Sequence, residues 1–115
     1  MTEKRHAPRT PVSMRVETQD HPVLGFGYAV NVSELGMAVD AEILEGCEVA
    51  LPEVGATLRL RFKLPGGTQV LTVRAEMLRV DRSQTTPRLA LAFEGLGRDE
   101  KREISQFIER NSSKQ

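Results

Sequence analysis

Two short clusters in this 115-residue chain carry the side chains best suited to holding a ligand. The first is Arg5-His6-Ala7-Pro8-Arg9. Pro8 disfavours helical geometry at Ala7, so the stretch is extended or turned. Two guanidinium groups on an extended arm can converge on one ligand. Arginine suits that task because its planar fork pairs bidentately with phosphate or with the O6/N7 edge of guanine, and it stacks on ring faces. The second cluster is Asn31-Val32-Ser33-Glu34-Leu35-Gly36. Asn and Ser two residues apart can each bond local backbone in turns, and Gly36 permits a positive φ. Asn31 and Ser33 would then sit on one side of the chain at a strand end, where side chains can meet a purine edge and backbone amides a phosphate oxygen. The plainer reading is a charged tail followed by an ordinary turn. Arg98 and Arg102 repeat the arginine spacing on a helix, where a solvated face explains them better.

Catalytic chemistry finds no such cluster. His6, Ser33 and Asp40 are not spaced to build a nucleophile with an oriented base, so the chain is not expected to be an enzyme. Two histidines and one cysteine give no metal-ligand spacing, and neither a metal nor a cofactor is expected. His6 reads as an exposed arm residue, His21 before Pro22 as a turn residue, and Cys47 as a small loop or core residue.

The elements that must position the two clusters are mostly strands. Thr57 to Leu64 alternates strictly, with Leu58, Leu60, Phe62 and Leu64 on one face and bases on the other. Pro65-Gly66-Gly67 follows, with the positive φ that a tight hairpin requires. The partner strand places Leu71, Val73, Ala75 and Met77 inward, and a slip of parity near Leu78 and Val80 predicts a bulge or bend. Arg88 to Phe93 alternates again. Val12 to Val16, Leu24 to Val32 and Gly36 to Val39 are three further strand candidates, and Gly25 and Gly27 predict close backbone approach or barrel curvature. A helix is predicted over about 98–110, with Ile104, Phe107 and Ile108 on its apolar stripe, Gly97 as N-cap and Asp99 and Glu100 in the first turn. Six short strands and a closing helix read as a small all-β barrel with a C-terminal helix.

Here the sequence resembles the PilZ domain family over nearly its whole length. The family pattern is Arg-x-x-x-Arg, a spacer of two strands, then Asp/Asn-x-Ser-x-x-Gly opening a strand; this chain supplies Arg5 and Arg9, then Asn31, Ser33 and Gly36. The hairpin at Leu64-Pro65-Gly66-Gly67 and the strand ending Ala92-Phe93-Glu94-Gly95-Leu96 also look like the family. The resemblance implies a six-stranded antiparallel β-barrel that binds cyclic di-GMP, a bacterial second messenger. In it the two arginines clasp guanine and phosphate from an N-terminal arm, and the Asn31, Ser33 and Gly36 turn receives a guanine. Lys4 stands where the family sets whether one or two stacked ligand molecules are held. The implied layout is a flexible arm over 1–10, a barrel over 11–96, a helix over 97–111 and a frayed tail over 112–115. Asn31 departs from the commoner Asp, keeping an acceptor but losing the charge that pairs guanine's N1 and N2 donors. The chain also lacks tryptophan for guanine stacking, so an arginine or aliphatic side chain would have to serve.

Charge and composition narrow the function. Sixteen bases against sixteen acids give no net charge, which argues against a general nucleic-acid binder. Locally the balance is +3 over residues 1–15, −6 over 34–56 and +4 over 57–82, a polarised surface whose cationic end could hold a small anion. No apolar run approaches the roughly 20 residues of a membrane span, no apolar stretch follows the first residues as in a signal peptide, and the single Cys47 fits a reducing cytoplasm. Single-stranded nucleic-acid binding would need stacking aromatics on the surface, whereas Tyr28 and the phenylalanines at 26, 62, 93 and 107 read as mostly inward. The expectation is therefore a stand-alone cyclic di-GMP receptor. It reorders its arm on binding and signals to an unidentified partner protein in control of motility, polarity or surface polysaccharide. The alternative is an adaptor with the same fold and little or no affinity for the messenger, favoured by Asn31 and the acidic stretch from Asp40 to Gly55. An edge strand or the helix face offers a route to a homodimer.

Overall fold

The computed structural model describes residues 9–18, 26–42, 53–83 and 86–112. Six strands and one helix follow in chain order: β1 (Thr10–Thr18), β2 (Phe26–Val32), β3 (Gly36–Glu42), β4 (Thr57–Phe62), β5 (Leu71–Asp81), β6 (Arg88–Glu94) and α1 (Arg98–Ser112). The strands close into a barrel in the order β1-β2-β3-β6-β5-β4, each pair antiparallel. Closure is narrowest at one seam: β1 pairs with β4 only through Val16, Glu17 and Thr18, so among the described residues the stretch of β1 from Thr10 to Arg15 has a strand partner only in β2.

The alternation read from the sequence is what fills the barrel. β4 runs exposed-buried throughout, sending Leu58, Leu60 and Phe62 inward, and β5 does the same through Leu71, Val73, Ala75 and Met77. These residues join Val16, Val39, Leu89 and Leu91 in one core. The predicted slip of parity on β5 is a bulge: the pairing with β6 shifts between Met77 and Arg79, and Leu78 is turned to solvent. Two further register shifts were not anticipated, on β1 between Pro11 and Met14 and on β2 between Ala29 and Asn31. The second explains why Ala29 and Val32 are both buried although their parity differs.

β4 ends two residues before the predicted Leu64, whose buried side chain stays in the core while its carbonyl accepts the Gly67 N–H at 2.8 Å. Gly66 takes the positive φ of that hairpin, 81°. Gly27 makes the close approach expected of it, since a Cβ there would crowd Val39 and the Asp40 carbonyl. The helix begins as predicted, with the Gly97 carbonyl accepting the Lys101 N–H at 3.0 Å, and it continues to Ser112. Ile104, Phe107 and Ile108 are buried against the barrel. Two aromatic expectations divide: Phe62 and Phe107 are buried, but Tyr28 is 46% exposed on the barrel's outer wall. It lies on β2 opposite Arg15 and Asp40, both outward positions, so the strand's parity turns it outward.

Candidate ligand site

Arg9, the one described residue of the first cluster, meets the second cluster at one corner of the barrel. Pairing of Pro11 with Asn31 sets the start of β1 beside the end of β2. Arg9, just before β1, then reaches across 22 residues of sequence to donate from Nη1 to Asn31 Oδ1 at 2.9 Å. Asn31 thus accepts from a guanidinium that lies just ahead of the neighbouring strand. Arg9 is exposed and Asn31 half-buried, so the pair faces water. The β2 bulge directly precedes Asn31, where the extra residue re-aims the side chain that follows it.

Ser33 and Gly36 close the β2–β3 hairpin. The Ser33 N–H donates to the Gly36 carbonyl at 2.8 Å. Ser33 Oγ accepts the N–H groups of Leu35 at 3.1 Å and Gly36 at 3.3 Å. Ser33 is buried, so its hydroxyl shapes the turn. Gly36 does not adopt the positive φ that the sequence suggested; among the described residues those glycines are Gly55, Gly66 and Gly95. Its requirement is space, because a Cβ there would collide with the Leu91 carbonyl oxygen of β6. The turn is held from two further sides: the Leu35 carbonyl accepts the Phe93 N–H at 2.8 Å, and Glu34 Oε2 accepts the Ser105 hydroxyl of α1 at 3.1 Å. Lys4, Arg5 and the rest of the predicted arm through Pro8 lie outside the described residues, as does most of the acidic stretch, 43–52.

Sequence reasoning missed a second polar cluster on the outer wall. Asp40 of β3 and Arg88 of β6 stand opposite each other and pair side-on, Nε to Oδ1 at 2.7 Å and Nη2 to Oδ2 at 3.3 Å. The Asp40 hydrogen bond pushes the Arg88 pKa further above its already high value, so that guanidinium stays charged. Asp81 stands opposite Arg88 on the other side, on β5. The Ser83 backbone N–H, donating to it at 2.9 Å, holds its carboxyl below the usual range. Only knowledge that β3 pairs with β6 would have brought these charges together. Among the described residues no group of three or more His, Cys, Asp or Glu could hold a metal ion, and no helix is long and apolar enough to cross a membrane.

A six-stranded antiparallel closed barrel with one C-terminal helix, carrying Arg9, Asn31, Ser33 and Gly36 near one hairpin, defines the class of domain. The chain belongs to the PilZ domain family, which it matches over residues 3–110. Solved structures share the fold at low identity. The PilZ domain of YcgR from Escherichia coli, solved with c-di-GMP, is 15% identical with a TM-score of 0.71, over 96% of this chain and 93% of that one. The inhibitor of motility MotI/DgrA from Bacillus subtilis is 22% identical with a TM-score of 0.76, over 98% of this chain and 53% of that one. The chain therefore spans about half the length of the Bacillus protein. The PilZ domain of CeSA from a cellulose-synthesizing bacterium is 16% identical with a TM-score of 0.62, over 90% of this chain and 97% of that one. No curated protein matches the chain.

Proposed function

We propose that this chain is a cyclic di-GMP receptor whose N-terminal arm reorders over the Asn31 corner on binding and thereby alters a surface read by a partner protein. The reading rests on the Arg9–Asn31 hydrogen bond, which joins the two motifs at one solvent-facing place. In this reading Arg5 and Arg9 grip guanine and phosphate, and Lys4 sets how many ligand molecules stack. Asn31 accepts from a guanine edge, while Ser33 and Gly36 hold the hairpin in the shape that presents it. The setting is the cytoplasm of a bacterium, in control of motility, polarity or surface polysaccharide.

Magnitudes make the bond to Asn31 useful. Hydrogen bonds to charged groups contribute roughly 1.5–3 kcal/mol each, so the two arginines supply about 3–6 of the roughly 8 kcal/mol that a micromolar complex needs. Ordering five free arm residues costs about 5–10 kcal/mol of backbone entropy, enough to cancel that gain. Arg9 already held beside β2 lowers the cost, because the end of the arm is positioned before the ligand arrives.

Isothermal titration with cyclic di-GMP tests the assignment. Arg5→Ala and Arg9→Ala are each expected to weaken binding about tenfold or more, as loss of a charged contact should. Wild-type binding that both substitutions leave unchanged would refute it. Complete absence of binding by the wild type would favour the adaptor reading, to which the neutral Asn31 contributes by offering no charge to guanine's donors.

A further inference from the structure

Tyr28 stands on the outer wall with no part in the grip described above. It is the only tyrosine of a chain that has no tryptophan, and it is nearly half exposed on β2. Strand parity sends it outward, since Gly27 and Ala29 on either side are buried. Asn31 lies three residues further along the same strand, no more than about 10 Å away at the rise of a strand. Ala29 pairs with Val39 and Asn31 with Ala38, so Val30 is the extra residue of the bulge between them. Ala38 lies between the core residues Met37 and Val39, so its position, like that of Asn31 opposite, belongs to the outer wall. Across the strands Tyr28 is in row with Arg15 on β1, Asp40 on β3 and Arg88 on β6. Asn31 is in the next row, with Ala38 on β3 and Ala90 on β6. The two alanines keep the wall low beside the Asn31 amide, and the tyrosine rises at its border.

We infer that Tyr28 is the stacking partner of a guanine held at its edge by Asn31, an inference that rests on the cyclic di-GMP reading above. Side chains stand roughly perpendicular to a sheet, so an outward ring offers its face along the wall. A purine standing over the alanines meets that face in an offset stack while its hydrogen-bonding edge reaches the amide. The ring also costs little to fix, because tyrosine has only two side-chain torsions. The charges of its row suit an anionic ligand. Asp40, the acid beside Tyr28, is already clasped by Arg88, and Arg15 sets a base on the other flank. An aromatic that merely braced the sheet through its cross-strand neighbours would change stability when replaced and leave affinity alone.

A single tyrosine makes the test direct, because ring-labelled tyrosine gives the whole chain one set of aromatic NMR signals. Cyclic di-GMP is titrated into that sample and, in parallel, into a calorimeter. The Tyr28 ring protons are expected to move upfield, as protons stacked on a purine do, and to saturate at the calorimetric affinity. Tyr28→Phe keeps the ring face and should bind within about twofold of the wild type. Tyr28→Leu keeps apolar bulk without the ring and should weaken binding about fivefold or more, as loss of base stacking does. Tyr28→Thr, well suited to a strand, takes its place should Tyr28→Leu fail to fold. Calorimetric binding with unmoved ring signals overturns the inference and leaves the messenger reading standing, as does full affinity in Tyr28→Leu. Equal losses in Tyr28→Phe and Tyr28→Leu overturn it too, since the hydroxyl would then be the group in use. Absence of calorimetric binding by the wild type overturns the messenger reading, and this inference with it.

Discussion

Ser33 and Gly36 lie at the heart of the motif, yet their atoms are committed to the chain itself. The Ser33 hydroxyl is held by two backbone N–H groups of its own turn, and Gly36 lies flat against the Leu91 carbonyl. Among the described members, Arg9 and Asn31 are those with polar groups near water. Spacing alone could not make that division, because a serine that shapes a turn and one that touches a ligand look the same in sequence. The reason for the glycine was misread for a related cause: the close approach comes from β6, more than fifty residues away, and local sequence carries no trace of it. Gly36→Ala is therefore expected to push β3 off β6 and cost about 1–3 kcal/mol, as overpacking does. Urea unfolding should show a lower midpoint at unchanged slope; an unchanged midpoint would show that β3 can shift freely.

At the scale of elements, legibility followed local periodicity. β4, β5 and α1 carry apolar residues at strict period two or at helical spacing, and each forms where that pattern places it. The β5 bulge was visible as a break in parity at Leu78. The β1 and β2 bulges were not, because the runs from Thr10 to Val16 and from Phe26 to Val32 contain small or ambiguous residues whose side can be assigned only once the partner is known. Helix α1 is bound to the barrel by Ile104, Phe107 and Ile108 and touches the Ser33 hairpin through Ser105. Ile104 is wholly buried, so Ile104→Ala should remove about 2–5 kcal/mol of stability. Denaturant melts would register it, and amide exchange should show α1 loosening before the sheet. Exchange that rises uniformly through the chain would instead mean that helix and barrel unfold as one unit.

For the molecule as a whole, the six-stranded closed barrel with its helix was legible from strand count and spacing, but the seating of β6 between β3 and β5 was not. That order brings Asp40 to Arg88. The ring is riveted unevenly. Among the described residues β1 meets β4 through three paired positions, Val16 to Phe62, Glu17 to Arg61 and Thr18 to Leu60, against six for β4 with β5. The same strand carries Arg9 just ahead of its first residue, so one stave has its handle at one end and the shortest seam at the other. Backbone amides bonded across that seam, between Val16–Thr18 and Leu60–Phe62, should accordingly exchange faster than those bonded between β5 and β6 in native-state experiments, whereas equal rates would mean a seam as tight as its neighbours. Any molecule that takes hold of the chain ahead of Thr10 tugs on the stave least firmly joined, and the hoop would give there first.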